Sequence, residues 1–500
     1  MGKAVFTSFM ILCSFLILFS LECNISVKAY PDIIHVPTAY PTIQVAIDYA
    51  NPGDTIFVEN GVYYENIVIH KSISLVGEDQ DSTIISGNKT GNVIRIIANE
   101  VNIQGFTLEE SGSQDARARA GIFIDHSSGN DIRYNTIADN YEGISFDYSS
   151  NNMISRNNIL NNYYAISLSH SSNNMISCNT ITDNYEGTRF HYSSYNIISC
   201  NTITDNEYGL YLTLFSSGNS IFLNNFNNSN QVWIAQTLEN FWDNGNEGNY
   251  WSNYTGQDAN KDGVGEEPYI INQDNQDNYP LMGMFSDFTV SSLRETYHIT
   301  SICNSTITEF GFRIGLETGN RIVSFNTTSR NNEAGFCRIM IPIALMDSPF
   351  IVLVDAEELT PMLLNISNET HTCLYFTYDQ KNHVITIISS KSLYLYSELL
   401  DDYIQLQLDI YDLNTTYYDL LDDYNTLLDN CSHLQTSYNE LNSSSQKHLS
   451  NYSENAHNIQ NLMYVFAATT IVFIITTMYL SRIAHTSNLE VFKDAKKSPS

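Results

Sequence analysis

The chain has 500 residues, enough for several domains, and a formal net charge of −32 although only 16% of its residues are charged. So acidic a chain repels nucleic acid and anionic lipid headgroups, which removes nucleic acid from the expected partners. Its remaining polarity comes from Asn, Ser, Thr and Tyr.

Residues 1–29 read as a secretory signal, with Lys3, a long apolar run and a small-residue cleavage site at Val27–Ala29. Next comes "YPTIQVAIDYANPGD". Ile43, Ala46, Ile47 and Ala50 share one face of a short helix, and Pro41 suits its first position. Such a helix can cap the open end of a solenoid.

The solenoid is written as a repeat. "NNMISRNNILNNYYAISLSHSS" begins at Asn151, and "NNMISCNTITDNYEGTRFHYSS" begins at Asn173. Ile132, Ile154, Ile176, Ile198 and Ile221 form one column, with spacings of 22, 22, 22 and 23. Asn135, Asn157, Asn179, Asn201 and Asn224 form a second; Ile137, Ile159, Ile181, Ile203 and Phe226 a third. Asn140, Asn162, Asn184 and Asn206 form a fourth; Gly143, Ala165, Gly187 and Gly209 a fifth. The period is too short for a helix pair, and the apolar residues alternate as in strands. Three short strands and three turns per coil, with coils ~4.8 Å apart, satisfy the pattern. Inward Ile columns make the core, and Asn columns stack at the turns. "SISLVGE", "NVIRIIA", "VNIQGFTLEESGS" and "AGIFIDHSSGN" are earlier rungs of looser spacing. No N-x-[ST] sequon falls between Asn92 and Asn224, as expected of tight turns without room for a glycan.

The opening "PTIQVAIDYANPGDTIFVENGVYYENIVIHKSISLVGE", the Asn-rich coils and the ending "NYWSNYTGQDANKDGVGEEPYIINQDNQDNYPLM" resemble the NosD-type periplasmic copper-binding proteins. These sit within a wider group of carbohydrate-binding and sugar-hydrolase right-handed β-helices. The resemblance covers about Tyr40 to Met284. It implies a right-handed parallel β-helix over residues 30–285, and among activities copper handling, sugar binding or sugar cleavage.

Four candidate sites lie in this region. Copper needs clustered His, Met or Cys. His126 and His170 share a column with Tyr148 and Tyr192, two coils apart, and His191 lies in the next column; copper is not expected, and an exposed aromatic ladder is. Cys178 and Cys200 stack one coil apart, within disulfide reach. Asp139, Asp183 and Asp205 share a column with Asn161; with Arg189 nearby they are the candidate catalytic groups of a polysaccharide lyase or glycosidase. Turn chemistry accounts for the same Asp residues. Tyr141, Tyr163 and Tyr185, with Glu142 and Glu186, suit sugar binding. In "DANKDGVGE", Asp258, Asn260, Asp262, Val264 and Glu266 match the first part of an EF-hand loop, which makes calcium the candidate cofactor; Tyr269 replaces the twelfth-position Glu.

Residues 286–390 alternate as strands and predict a small β-sandwich, similar to a domain of archaeal surface proteins. Over residues 391–461, Leu399, Leu406, Leu413, Leu420, Leu427, Leu434 and Leu441 recur every seven residues, with Tyr403, Ile410, Tyr417, Tyr424, Cys431 and Tyr438 between them. This predicts a coiled-coil stalk joining parallel copies of the chain, with Cys431 at a core position as the interchain disulfide candidate. Residues 462–480 carry no charge and have the length of one membrane span, and the basic tail 481–500 places that end in the cytoplasm. The rest then lies outside, where Asn304, Asn326, Asn365, Asn368, Asn414, Asn442 and Asn451 are glycosylation candidates. The expectation is an all-β, single-pass cell-surface protein that recognises extracellular glycan or envelope polymer rather than cleaving it.

Overall fold

A computed structural model describes residues 31–112, 119–235, 239–316, 318–328, 334–389, 392–449, 463–480 and 482. The expected signal segment, Asn451 and nearly all of the basic tail lie outside these residues.

The N-terminal half is a right-handed parallel β-solenoid with three parallel sheets of nine, eight and nine strands. Each regular coil contributes one strand to each, as in Asp131–Arg133, Thr136–Ala138 and Glu142–Asp147. The columns are in register: Ile132 pairs with Ile154, Ile154 with Ile176, and Ile176 with Ile198. These side chains are fully buried and form one continuous core. Alternation decides the faces, because successive strand residues point to opposite sides. In Glu142–Asp147, Ile144 and Phe146 enter the core while Ser145 and Asp147 face outward.

The cap is the helix Ile43–Tyr49, which buries Ile43, Ala46 and Ile47. Its N-cap is Thr42, whose hydroxyl accepts from the Val45 amide at 3.3 Å. Pro41 therefore precedes the cap instead of opening the helix. A Thr oxygen satisfies an orphan amide there, which Pro cannot do.

The strands from Met284 to Ser389 form two five-stranded sheets around a second core containing Ile299, Phe325, Ile339 and Ile387. Their paired strands are antiparallel. This assembly is docked on the solenoid. Val264, Leu281, Phe285, Ile302, Phe336, Leu364, Cys373 and Tyr375 make a third apolar cluster, with Cys200 and Leu223 packed against it. Asn225 and the backbone of Phe285 exchange two hydrogen bonds, of 2.8 and 2.7 Å. Arg338, almost buried, pairs with Glu247 and donates to the Asp262 carbonyl at 3.2 Å.

The helix Ser392–Leu449 has 58 residues. Its heptad residues Leu406, Leu413, Leu420, Leu427 and Leu434 are exposed, as is Cys431. Met463–Leu480 is a helix long and apolar enough to cross a membrane, with mean hydropathy 1.8.

Candidate functional site

The corners of the solenoid follow one rule. A residue in the left-handed conformation turns the chain, and the next residue, a buried Asn or Ser, locks the turn to the following coil. Tyr134, Arg156, Cys178, Cys200 and Leu223 have φ between +54° and +59°, each just before a ladder Asn. Asn157 shows the chemistry. Its backbone and side-chain N–H groups both donate to Asn179 Oδ1, at 2.9 and 3.0 Å. Its Nδ2 also donates to the Ile132 and Ser155 carbonyls, at 2.8 and 3.1 Å. Only an amide supplies donor and acceptor together on so short a stem. A further Asn column, running from Asn130 through Asn152, Asn174 and Asn196 to Asn219, and a Ser column from Ser127 to Ser216 obey the same rule.

The closing segment ends these ladders. Asp277 Oδ2 accepts from the Asn249 amide at 2.7 Å and from Trp251 Nε1 at 2.9 Å. Asn275 Oδ1 accepts from the Asn240 amide and from Trp242 Nε1. Burial pushes the Asp277 carboxyl up to about 6, against the pull of its amide and indole donors.

Asp139, Asp183 and Asp205 obey the corner rule as well. Their φ values are +56°, +57° and +58°, and each precedes a ladder Asn. Turn geometry accounts for this column. Arg189 does not pair with it. Its Nε lies 2.7 Å from Glu186 Oε2, and its Nη2 lies 3.0 Å from Glu186 Oε1.

Arg189 belongs to a groove of about 610 Å³ on the outer face of the sheet containing Glu142–Asp147, Tyr164–Ser169, Glu186–His191 and Tyr208–Thr213. Arg119 lines the groove and bonds Glu142 at 2.7 Å. The Arg189 guanidinium lies between two rings, 4.3 Å from the Tyr164 centroid and 5.0 Å from that of Tyr211. Tyr211 stacks on Trp233 at 4.2 Å. Burial pushes the Tyr164 phenol up to about 12 and raises the Glu186 carboxyl despite Arg189. Burial, with His170 and Arg189 nearby, lowers His191 and keeps it neutral at pH 7.

Two aromatic ladders flank these strands. At their start, Tyr141, Tyr163 and Tyr185 stack at 5.1 and 4.7 Å. At their end, His126, Tyr148, His170, Tyr192 and Phe215 stack at 5.1, 4.6, 4.8 and 5.7 Å. Both run along the solenoid axis, across the strands. Sequence reasoning found both ladders and Arg189 but missed Arg119, Tyr164, Tyr211 and Trp233. The signal for Tyr211 and Trp233 was their position one and two coils after Arg189 in one outward column.

The other expected sites fall elsewhere. Cys178 and Cys200 carry free thiols at the corner beside the sandwich. In the acidic loop, Asp258 accepts from the Asp262 and Gly263 amides, each at 3.0 Å. Asn260 accepts from the Asp262 amide, Asp262 from the Val264 amide, and Glu266 from the Ala259 and Asn260 amides. The loop's oxygens therefore hold its own backbone in a tight turn. Of the sequon residues, Asn365 and Asn368 are exposed, Asn304 and Asn326 are half-buried, and Asn414 and Asn442 lie on the long helix.

Residues 47–256 match the family model described as periplasmic copper-binding protein (NosD). No curated protein matches the chain. An alginate lyase from Paenibacillus sp. str. FPU-7 is similar in structure at 14% identity, over 44% of this chain and 98% of that one, with TM-score 0.26. The Dettilon tailspike protein is similar at 10% identity, over 72% and 94%, with TM-score 0.27. A pectin methylesterase from Yersinia enterocolitica is similar at 12% identity, over 39% and 81%, with TM-score 0.23.

The His170 ring is stacked between Tyr148 and Tyr192 and meets His191 edge-on at 6.1 Å. His126 Nδ1 is 2.6 Å from Asp125 Oδ1. Among the described residues, no group of three or more His, Cys, Asp or Glu is placed to hold a metal ion. These side chains do not fit copper.

Proposed function

We propose that the protein binds a linear extracellular glycan along the solenoid axis, in the groove between the two aromatic ladders. The observation that carries this reading is the groove's composition. Aromatic rings, Trp233 among them exposed at 38%, lie beside fixed hydrogen-bonding groups, the combination that receives the apolar surface and hydroxyls of sugars. Neutral His191, protonated Tyr164 and the Ser145 and Ser167 hydroxyls supply the polar contacts. A glycan array probed with the full-length protein in detergent tests it. Trp233→Ala with Tyr211→Ala should weaken any hit roughly tenfold or more, as loss of buried aromatic anchors does. Undiminished binding by that double variant would move the site away from the groove.

The membrane helix would tether this surface, with the solenoid outside and the C-terminus in the cytoplasm. The long helix would pair with a second copy in parallel, burying the exposed heptad Leu residues and bringing the two Cys431 thiols together. A reducible dimer on a denaturing gel, absent in Cys431→Ser, is the expected sign.

A second reading, chain cleavage, draws on one observation. Glu186 is buried, and its raised carboxyl pKa suits a general acid. Matched cleavage assays on array hits test it. Shortened product lost in Glu186→Gln, with binding retained, would establish an enzyme.

A further inference from the structure

We infer that the groove selects an uncharged polysaccharide and disfavours a polyuronate; this rests on the glycan-binding reading above. The guanidiniums that line the groove are those of Arg119 and Arg189. Each is already held by a carboxylate. Arg119 donates through Nε at 3.1 Å and Nη2 at 2.7 Å to Glu142 Oε1. Arg189 holds both oxygens of Glu186, at 2.7 and 3.0 Å. Their flat faces are occupied too, Arg119 against Tyr141 at 4.5 Å and Arg189 against Tyr164 and Tyr211. Both partner carboxylates are buried, Glu142 at 5% and Glu186 at 3% exposure.

A uronate entering the groove therefore has two routes, and both are unfavourable. It can displace Glu142 or Glu186, which leaves a buried carboxylate without its partner. Or it can lie beside an intact ion pair, whose guanidinium charge is already neutralised by its own carboxylate. Asp147 adds to this: it lines the groove and, among the described residues, has no ion-pair partner. Asp125, at the groove's end, already holds Arg95 and His126. A neutral sugar meets neither obstacle. Its hydroxyls can donate to Asp147 and exchange hydrogen bonds with Ser145, Ser167 and neutral His191, while its apolar surface packs against the exposed Trp233 ring, which stacks on Tyr211.

Titration calorimetry of the full-length protein in detergent tests this, using cellohexaose, mannohexaose and N-acetylchitohexaose against hexamers of galacturonate and mannuronate. We expect at least one neutral hexamer to bind, and both uronates to bind roughly 100-fold more weakly. Glu186→Gln, which keeps an acceptor for Arg189 but leaves its charge uncompensated, should raise uronate affinity about tenfold or more. Uronates binding the parent as tightly as the neutral hexamers, with loss of both in Trp233→Ala, would overturn the charge selection and leave the groove reading intact. No hexamer binding to the parent would overturn both.

Discussion

Two corners of the same solenoid use one backbone solution and present different surfaces. At one, the left-handed residues are His126, Tyr148, His170, Tyr192 and Phe215, followed by a Ser ladder; all five are exposed. At the other they are Tyr134, Arg156, Cys178, Cys200 and Leu223, followed by an Asn ladder. Here Tyr134 remains exposed, while Cys200 and Leu223 pack against the sandwich, and Arg156 reaches Asp287 at 3.4 Å. The ladder residue performs the structural work at both corners. The outward side chain is released from it, so its identity follows what it faces: solvent at the first corner, a docked sheet at the second.

The difference can be broken at the covered corner first. Glu247→Ala leaves the nearly buried Arg338 without its carboxylate and should cost about 4 kcal/mol, loosening the sandwich from the solenoid. Thermal unfolding and protease sensitivity at the Met284 junction would both report it; an unchanged melting curve would show that this pair does not hold the two together.

Asp277 ends the Asn ladder of that same corner. Its folded carboxyl titrates at about 6, above the ordinary unfolded value near 3.9. A raised carboxylate binds its proton more tightly in the folded state, so its contribution to stability is full below about pH 4. It is lost as pH rises through about 6, a fall on the order of 3 kcal/mol. Asp277→Asn should flatten that part of the melting temperature's pH profile. Parallel profiles for parent and variant would mean the carboxyl is not perturbed by folding.

A sharper contrast comes from placing one charge at each corner, eight residues apart in sequence. Leu223→Asp puts a carboxylate into the apolar cluster and should cost about 2 kcal/mol or more. Phe215→Asp, at a position 60% exposed, should stay within about 0.5 kcal/mol. Equal losses in chemical denaturation would mean that covering does not distinguish the corners. An effect of the opposite sign is inside the core. Thr188 occupies the column of Ile144 and Ile166, and its buried hydroxyl has no hydrogen-bond partner among the described residues. Thr188→Val should stabilise the fold by about 1 kcal/mol; a loss would show that the hydroxyl is bonded in solution.

Much of the solenoid was legible because stacking forces a fixed period. Ile132 and Ile154 must superimpose, so their spacing appears directly in the sequence. Asn135 and Asn140 were legible for the same reason. Asp139, Asp183 and Asp205 were harder to read. Catalytic carboxylates and left-handed corner residues draw on the same residue type, and only their place one step before a ladder Asn separates them. Arg119 opens the column of Tyr141, Tyr163 and Tyr185 at the same 22-residue spacing, and was missed because a cation there replaces the ring that marks the column. The docking of the sandwich was also invisible. Asn225 and Phe285 are 60 residues apart, and no periodicity links them. Cap chemistry decided the short helix: Thr42 accepts an amide, and Pro41 can only precede it.

The central claim is that sugar lies in the groove, against Tyr211 and Trp233. Of the three tryptophans, Trp242 and Trp251 are 1% exposed and Trp233 is 38% exposed. Intrinsic fluorescence therefore reports on the groove, and titration with a glycan identified on the array is the most direct test. The account predicts a saturable change in emission with the affinity measured by calorimetry, abolished in Trp233→Phe while binding persists. Saturable glycan binding that leaves the parent's emission unchanged would contradict it and place the sugar elsewhere on the molecule.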